Sequence, residues 1–128
     1  MRANFKVDQK ATFAGLVFLS CQPKLAFGSD QQERTKDGRL KWTLEVLGAA
    51  YDGFGGTSNE VLRIGVASSS NPAEGIAPFT PIELGDFEVG VMEKTKKNAD
   101  GSERVVGVNV WFRASEIKLA HGSMSAAA

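Results

Sequence analysis

Apolar and polar residues alternate through most of the chain, and helical spacing is scarce. Near the end, VVGVNVWFR puts Val106, Val108, Val110 and Phe112 on one side of an extended strand. Val105, Gly107, Asn109, Trp111 and Arg113 fall on the other, and the first row reads as core. In VLRIGVA, Leu62, Ile64 and Val66 oppose Val61, Arg63, Gly65 and Ala67. In LKWTLEV, Leu40, Trp42, Leu44 and Val46 alternate with Lys41, Thr43 and Glu45. Period-two patterning rich in β-branched residues, with glycine-bearing breaks, predicts an all-β domain.

The breaks in the pattern set the elements. A first strand covers residues 12–21, and a second extended stretch, 27–35, leads into a turn at Lys36-Asp37-Gly38-Arg39. Asp-Gly marks a hairpin because a type I′ turn needs positive φ at both central residues. The returning strand is 40–50, GFGGTSN forms a loop at 53–59, and 60–67 is the next strand. Pro72, Pro78 and Pro81 exclude a long helix from the following connector, leaving at most one turn near 73–75. Residues 82–92 read as a strand bent at Gly85-Asp86, or as a strand pair. KTKKNADGSER, 94–104, holds a second Asp-Gly turn, and 105–119 closes the chain as one long strand. Five principal strand regions, with a loose connector after the third, predict a five-stranded OB-fold-like barrel with long hairpin loops. An SH3-like barrel is the second choice. The 128 residues suit a single domain, placed at 1–120, with a small polar tail at 121–128.

Composition narrows the function. Hydrophobic residues make up 42% and charged residues 23%, as in soluble globular chains, and no stretch approaches the ~20 apolar residues of a spanning helix. A cytoplasmic protein without membrane partners is expected. One segment reads a second way: FAGLVFLSC, 13–21, follows Arg2, Lys6 and Lys10 as the apolar part of a secretory signal follows its basic part. A single Cys21 excludes an internal disulfide or a Cys-cluster zinc site, and the single His121 leaves no His-based triad. Ser68-Ser69-Ser70 has no activating base beside it, and Glu83, Asp86 and Glu88 read as a solvated strand face. GFGG does not lead from strand to helix as a phosphate loop does. No enzymatic activity, metal or cofactor is expected.

The formal net charge is zero, so affinity for polyanions has to come from where the cations sit. Arg34, Lys36, Arg39 and Lys41 crowd the first hairpin against Asp37 alone. Lys94, Lys96, Lys97 and Arg104 outnumber Glu93, Asp100 and Glu103 in the last. In an OB-fold the loops between strands one and two and between four and five flank the oligonucleotide cleft, and both basic hairpins fall there, with Arg63 between them. Trp111 beside Arg113 on a polar face is a candidate base-stacking platform; packing under a loop or at a dimer contact is the alternative. Trp42 points inward by alternation, or emerges at the rim if strand twist carries it there.

Four segments, RTKDGRLKWTLEVLGAAYD, EVLRIGV, APFTPIELGDFEVG and the Val-rich strand ending in RASEIKLA, together resemble the single-stranded DNA-binding proteins of filamentous phages, the small dimeric OB-fold type. The likeness covers 34–118, about two-thirds of the chain, and rests on pattern and order. It implies a binding aromatic and its neighbouring aliphatic at Trp42 and Leu44, and phosphate contacts at Arg34 and Lys36. It also implies further aromatics at Tyr51 and Phe54, whereas Phe87 corresponds less clearly and reads as core. The longer first segment and the extended 94–104 loop depart from the family's pattern. The function expected is sequence-independent binding of single-stranded DNA, with RNA also open, by a homodimer in phage or plasmid DNA replication or transfer. A β-barrel interaction or assembly module without nucleic-acid binding is the alternative.

Overall fold

The computed structural model describes residues 2–120; Met1 and the expected tail at 121–128, with His121, lie outside the described residues. In chain order the elements are β1 (Arg2–Lys6), α1 (Gln9–Thr12), β2 (Phe13–Pro23), β3 (Leu40–Tyr51), β4 (Thr57–Ser68), β5 (Ile82–Gly85), β6 (Glu88–Lys97), β7 (Glu103–Ala114) and β8 (Glu116–Leu119). Six strands form one sheet in the order β1-β6-β7-β4-β3-β2, and β5 pairs with β8 in a second, two-stranded ladder.

Each neighbouring pair in the large sheet is antiparallel except β4 and β7, which run parallel through Ile64–Phe112, Gly65–Arg113 and Val66–Ala114. A parallel pair cannot be closed by a tight hairpin. The connector between β4 and β6 therefore crosses over, and β5 lies within it. The two edge strands, β1 and β2, are successive in the chain and joined through the single turn of α1, so the sheet has to curl. Asp8 caps that turn, its carboxylate accepting from the Ala11 N–H at 3.1 Å. A three-stranded meander, a parallel third-to-last pairing and a hairpin returning toward the first strand make an OB-like half-barrel, as the alternation predicts.

Apolar side chains on the inner side of the curl fill the interior. The row on β2 is Phe13, Leu16 and Phe18, facing Leu44 and Val46 on β3 and Leu62, Ile64 and Val66 on β4. The crossover plugs the barrel with Ala73, Ile82, Leu84 and Phe87. Phe87 is central, its ring centroid 6.2 Å from Phe13 and 5.8 Å from Phe112. FAGLVFLSC is thus the body of β2, and three of its side chains are core.

Several expectations need correction. Residues 2–6 form a strand, and 27–35 do not: that stretch folds back on itself, with the Ala26 N–H donating to the Gln31 carbonyl at 2.8 Å and Gly28 at φ +71°. The long last strand breaks at Ser115, whose N–H donates to the Gly85 carbonyl at 2.8 Å; of the two readings of 82–92, the strand pair is the one found, with β5 and β6 separated at Gly85-Asp86 as expected. Val106, Val108 and Val110 are not core: they are 53%, 54% and 53% exposed. The reason is that β4 holds β7 only at 112–114; the rest of the β6–β7 hairpin runs out as an arm with no strand opposite its apolar side. A register shift also leaves Val106 unpaired, Lys94 facing Gly107 and Thr95 facing Val105, which moves Val105 onto that same side.

Phe87→Ala is expected to cost about 3–5 kcal/mol in urea unfolding, since it empties the shared aromatic contact, whereas Phe54→Ala, at a fully solvated loop, should stay within about 0.5 kcal/mol. Burial pushes the Cys21 thiol above its usual range, against a weaker opposing hydrogen bond with the Ala73 backbone. Aromatic disulfide reagents at neutral pH should therefore label native Cys21 far more slowly than the urea-unfolded chain; equal rates would contradict the packing of β2 against the crossover.

Candidate nucleic-acid interface

The residues that alternate with the core rows point outward, and their register builds one continuous surface. A single cross-strand row runs Thr43, Gly65, Arg113, Glu88, Lys6 through β3, β4, β7, β6 and β1. The row beside it holds Trp111, Gly90 and Asn4, and the next holds Asn109, Met92 and Arg2. On β3 and β4, Glu45 pairs with Arg63 on the same side of the first row as Trp111, and Lys41 pairs with Ala67 on its other side. Over β3, β4 and β7 this surface sinks into a cleft of about 790 Å³, whose walls include Lys24, Arg39, Lys41, Arg63 and Arg113 with both indoles. Gly65 and Ala67 keep its floor low.

Trp111 lies against the sheet because its cross-strand partner is a glycine. A Cβ at residue 90 would fall 2.1 Å from the indole Cε2, a distance no real contact reaches, so the ring occupies the place of a side chain. The guanidinium of Arg2 sits over the ring, 5.5 Å from its centroid, a cation–π contact that holds the indole from the solvent side. Trp42 is half-buried, and its Nε1–H donates to the Ser68 carbonyl at 3.0 Å. By register it is in step with Leu44 and Val46, which are fully buried, and opposite Val66, and it is also among the residues that line the cleft.

Three arginines of this face are held by carboxylates. Arg113 Nε donates to Glu88 Oε2 at 2.5 Å, Arg63 Nε to Glu45 Oε1 at 3.2 Å, and Arg39 Nε to Asp37 Oδ2 at 3.0 Å. Lys24 is paired with Glu33. Turning the Asn4 amide to satisfy its neighbours lets its carbonyl accept from Arg113 Nη2 at 3.2 Å. The Thr35 hydroxyl, and then Arg39, hold the Asp37 carboxyl below its usual range; Lys24 does the same for Glu33. Both groups are solvated, so these shifts order the loop more than they stabilise the fold.

Of the residues singled out in the sequence, Arg39, Lys41, Trp42, Arg63, Trp111 and Arg113 meet in the cleft. Arg34 instead braces the first turn, its Nη1 donating to the Gly38 carbonyl at 3.0 Å, and Lys36 sits at the exposed tip. Leu44 is fully buried and cannot touch a ligand, so its assignment as a binding residue is corrected: its neighbour Thr43 faces the cleft. Tyr51 and Phe54 are exposed at the far end of β3, away from the cleft walls. Lys94, Lys96 and Lys97 lie toward the free end of the arm. Because β4 and β7 are parallel, the 98–102 turn lies at the opposite end of the sheet from the 35–39 turn, and the two basic hairpins do not flank one cleft. Phe87 is core.

Arg2, Asn4 and Lys6 join this face without having been singled out by the sequence. Their signal is present in RANFKV, where they alternate with Ala3, Phe5 and Val7. Basic residues before an apolar run suggest an export signal instead and hide the strand. Among the described residues no cluster of three or more His, Cys, Asp or Glu side chains could hold a metal ion. What the face offers is an aromatic ring, guanidinium groups and flat backbone.

Gly90→Ala should push the indole of Trp111 off the sheet and break its contact with Arg2. The expected result is a red-shifted tryptophan emission in the free protein with the overall β signal in circular dichroism retained; unchanged emission would mean that the ring does not rest on Gly90. Comparison of the chain with known family models, curated proteins and solved structures gives no significant match.

Proposed function

We propose that this protein binds single-stranded DNA without sequence preference across the outer face of β3, β4, β7, β6 and β1, as a homodimer serving phage or plasmid DNA replication or transfer. The observation that carries the reading is the convergence of Trp111 with Arg113, Arg63, Arg2, Lys6 and Lys41 on one side of a curled sheet. A base stacks on Trp111, with the Arg2 guanidinium moving aside or closing over it; such a stack is worth ~1–3 kcal/mol. Phosphates take the place of Glu88 and Glu45 on Arg113 and Arg63. Stacking and phosphate contacts of this kind accept RNA as well as DNA. The interaction-module reading draws support from the exposed valines of the arm, and the two readings differ in their response to salt.

Tryptophan fluorescence titrated with oligo-dT at two salt concentrations tests the proposal. Quenching with low-micromolar affinity is expected at low salt, the logarithm of affinity falling by roughly 0.7 per neutralised phosphate for each unit of log salt. Trp111→Ala should weaken binding by about 1–3 kcal/mol, while Glu88→Gln, which frees Arg113, should tighten it. No quenching by tens of micromolar oligonucleotide at low salt rules the reading out.

A further inference from the structure

The indole of Trp111 can be stacked upon from one side only. Its inner face rests at Gly90, where even a Cβ would meet the ring at 2.1 Å, so a base has to arrive from the solvent side. Arg2 already stands there, its Cζ 5.5 Å from the ring centroid. The sheet order explains the meeting: Trp111 lies on β7 and Arg2 on β1, with β6 between them. Gly90 leaves the place of a side chain on β6 empty, the ring extends into it, and so comes within reach of β1. Arg39, Arg63 and Arg113 are each paired with a carboxylate, whereas the guanidinium of Arg2 is held by a ring. A single cation–π contact at an exposed position is weaker than a stacked base, so it covers the platform without locking it.

We infer that Arg2 is a specificity-determining residue of the proposed interface: its guanidinium closes over a base stacked on Trp111 and holds it between two planes, so that the site selects a strand by its bases and not by its charge alone. A guanidinium suits this part because it is planar, weakly hydrated and stacks on aromatic faces. The spacing suits it as well. A base between two planes takes two stacking intervals of about 3.4 Å each, so along the line to the ring centroid the guanidinium has to lift by only about 1 Å. The surroundings of the platform are polar and undiscriminating. Asn4 shares the cross-strand row of Trp111, Asn109 and Arg113 stand two residues to either side of it on β7, and Asn4 accepts from Arg113 once its amide is turned. An amide both donates and accepts, so the edge of any base finds a partner there, which agrees with binding that ignores sequence.

This rests on the strand-binding reading above and adds to it a preference for bases over bare backbone. Anisotropy of an end-labelled oligo-dT, and of an abasic deoxyribose-phosphate strand of equal length, titrated with the full chain at low salt, gives the ratio of the two affinities. In the wild type oligo-dT should bind about five- to hundredfold more tightly, the contribution of one stacked base. Arg2→Ala should cut that ratio by at least about fivefold, and so should Arg2→Lys, which keeps the charge without the plane. The β signal in circular dichroism should be retained in both variants. A wild-type ratio near one overturns the inference. So does a ratio that Arg2→Ala leaves in place, which would make Arg2 a phosphate contact only, or raises, which would make it a plug on the ring. Recovery of the wild-type ratio by Arg2→Lys overturns it too. Each of these outcomes leaves strand binding itself standing, whereas a wild-type chain that binds neither strand sinks that reading and the inference with it.

Discussion

Three residue pairs hold this fold's two halves together. Ile64, Gly65 and Val66 run parallel to Phe112, Arg113 and Ala114, and among the described residues no other ladder joins the β2–β3–β4 meander to the β1–β6–β7 ribbon. Their alternation couples inside to outside: Ile64, Val66 and Ala114 are buried, and the intervening pair, Gly65 and Arg113, is thereby forced onto the outer surface. A slip of one residue would exchange the two sets, sending a guanidinium into the core. Burial of the apolar pairs therefore fixes the position of the cationic group, and with it Trp111 two residues earlier.

The same brevity explains the arm. A parallel ladder running the full length of β4 would draw β7 down onto the barrel and bury its valines. The ladder instead starts only at Phe112, so the ribbon diverges from β4 before it reaches the valines. The crossover compensates on the other side of the barrel. Phe87 bridges Phe13 and Phe112, and Gln9 ties α1 to β5 by donating to and accepting from the Leu84 backbone at 2.6 and 3.0 Å. The core is thus concentrated where the connector can reach.

Much of this is legible in the residues. Alternation in VLRIGVA and LKWTLEV places the inner and outer rows of β3 and β4 correctly, and Asp100-Gly101 marks the β6–β7 hairpin; Asp37-Gly38 instead turns within the loop that leads into β3, and at both turns only the glycine, at φ +88°, takes the positive φ that a type I′ turn asks of both residues. What alternation cannot express is whether a second layer lies opposite an apolar row: Val108 and Val110 read as core for the same reason as Ile64 and Val66, yet only the latter have a barrel to fill. Nor does local pattern reveal the end at which a turn lies. The two basic hairpins look like two banks of one cleft, and the parallel pairing of β4 with β7 separates them. Arg2, Asn4 and Lys6 are visible as a period-two series, but five residues are too few to outweigh the resemblance of the following segment to a leader.

The carboxylate partners of Arg39, Arg63 and Arg113 give the outer face a particular electrical character. Each pair is a short dipole whose field dies away within a few ångströms, and the chain as a whole is neutral. On the proposed reading, a polyanion would reach Arg63 and Arg113 only by competing, atom for atom, with Glu45 and Glu88, and this part of the face would work as an ion exchanger, capture and release both being short-range swaps of one anion for another.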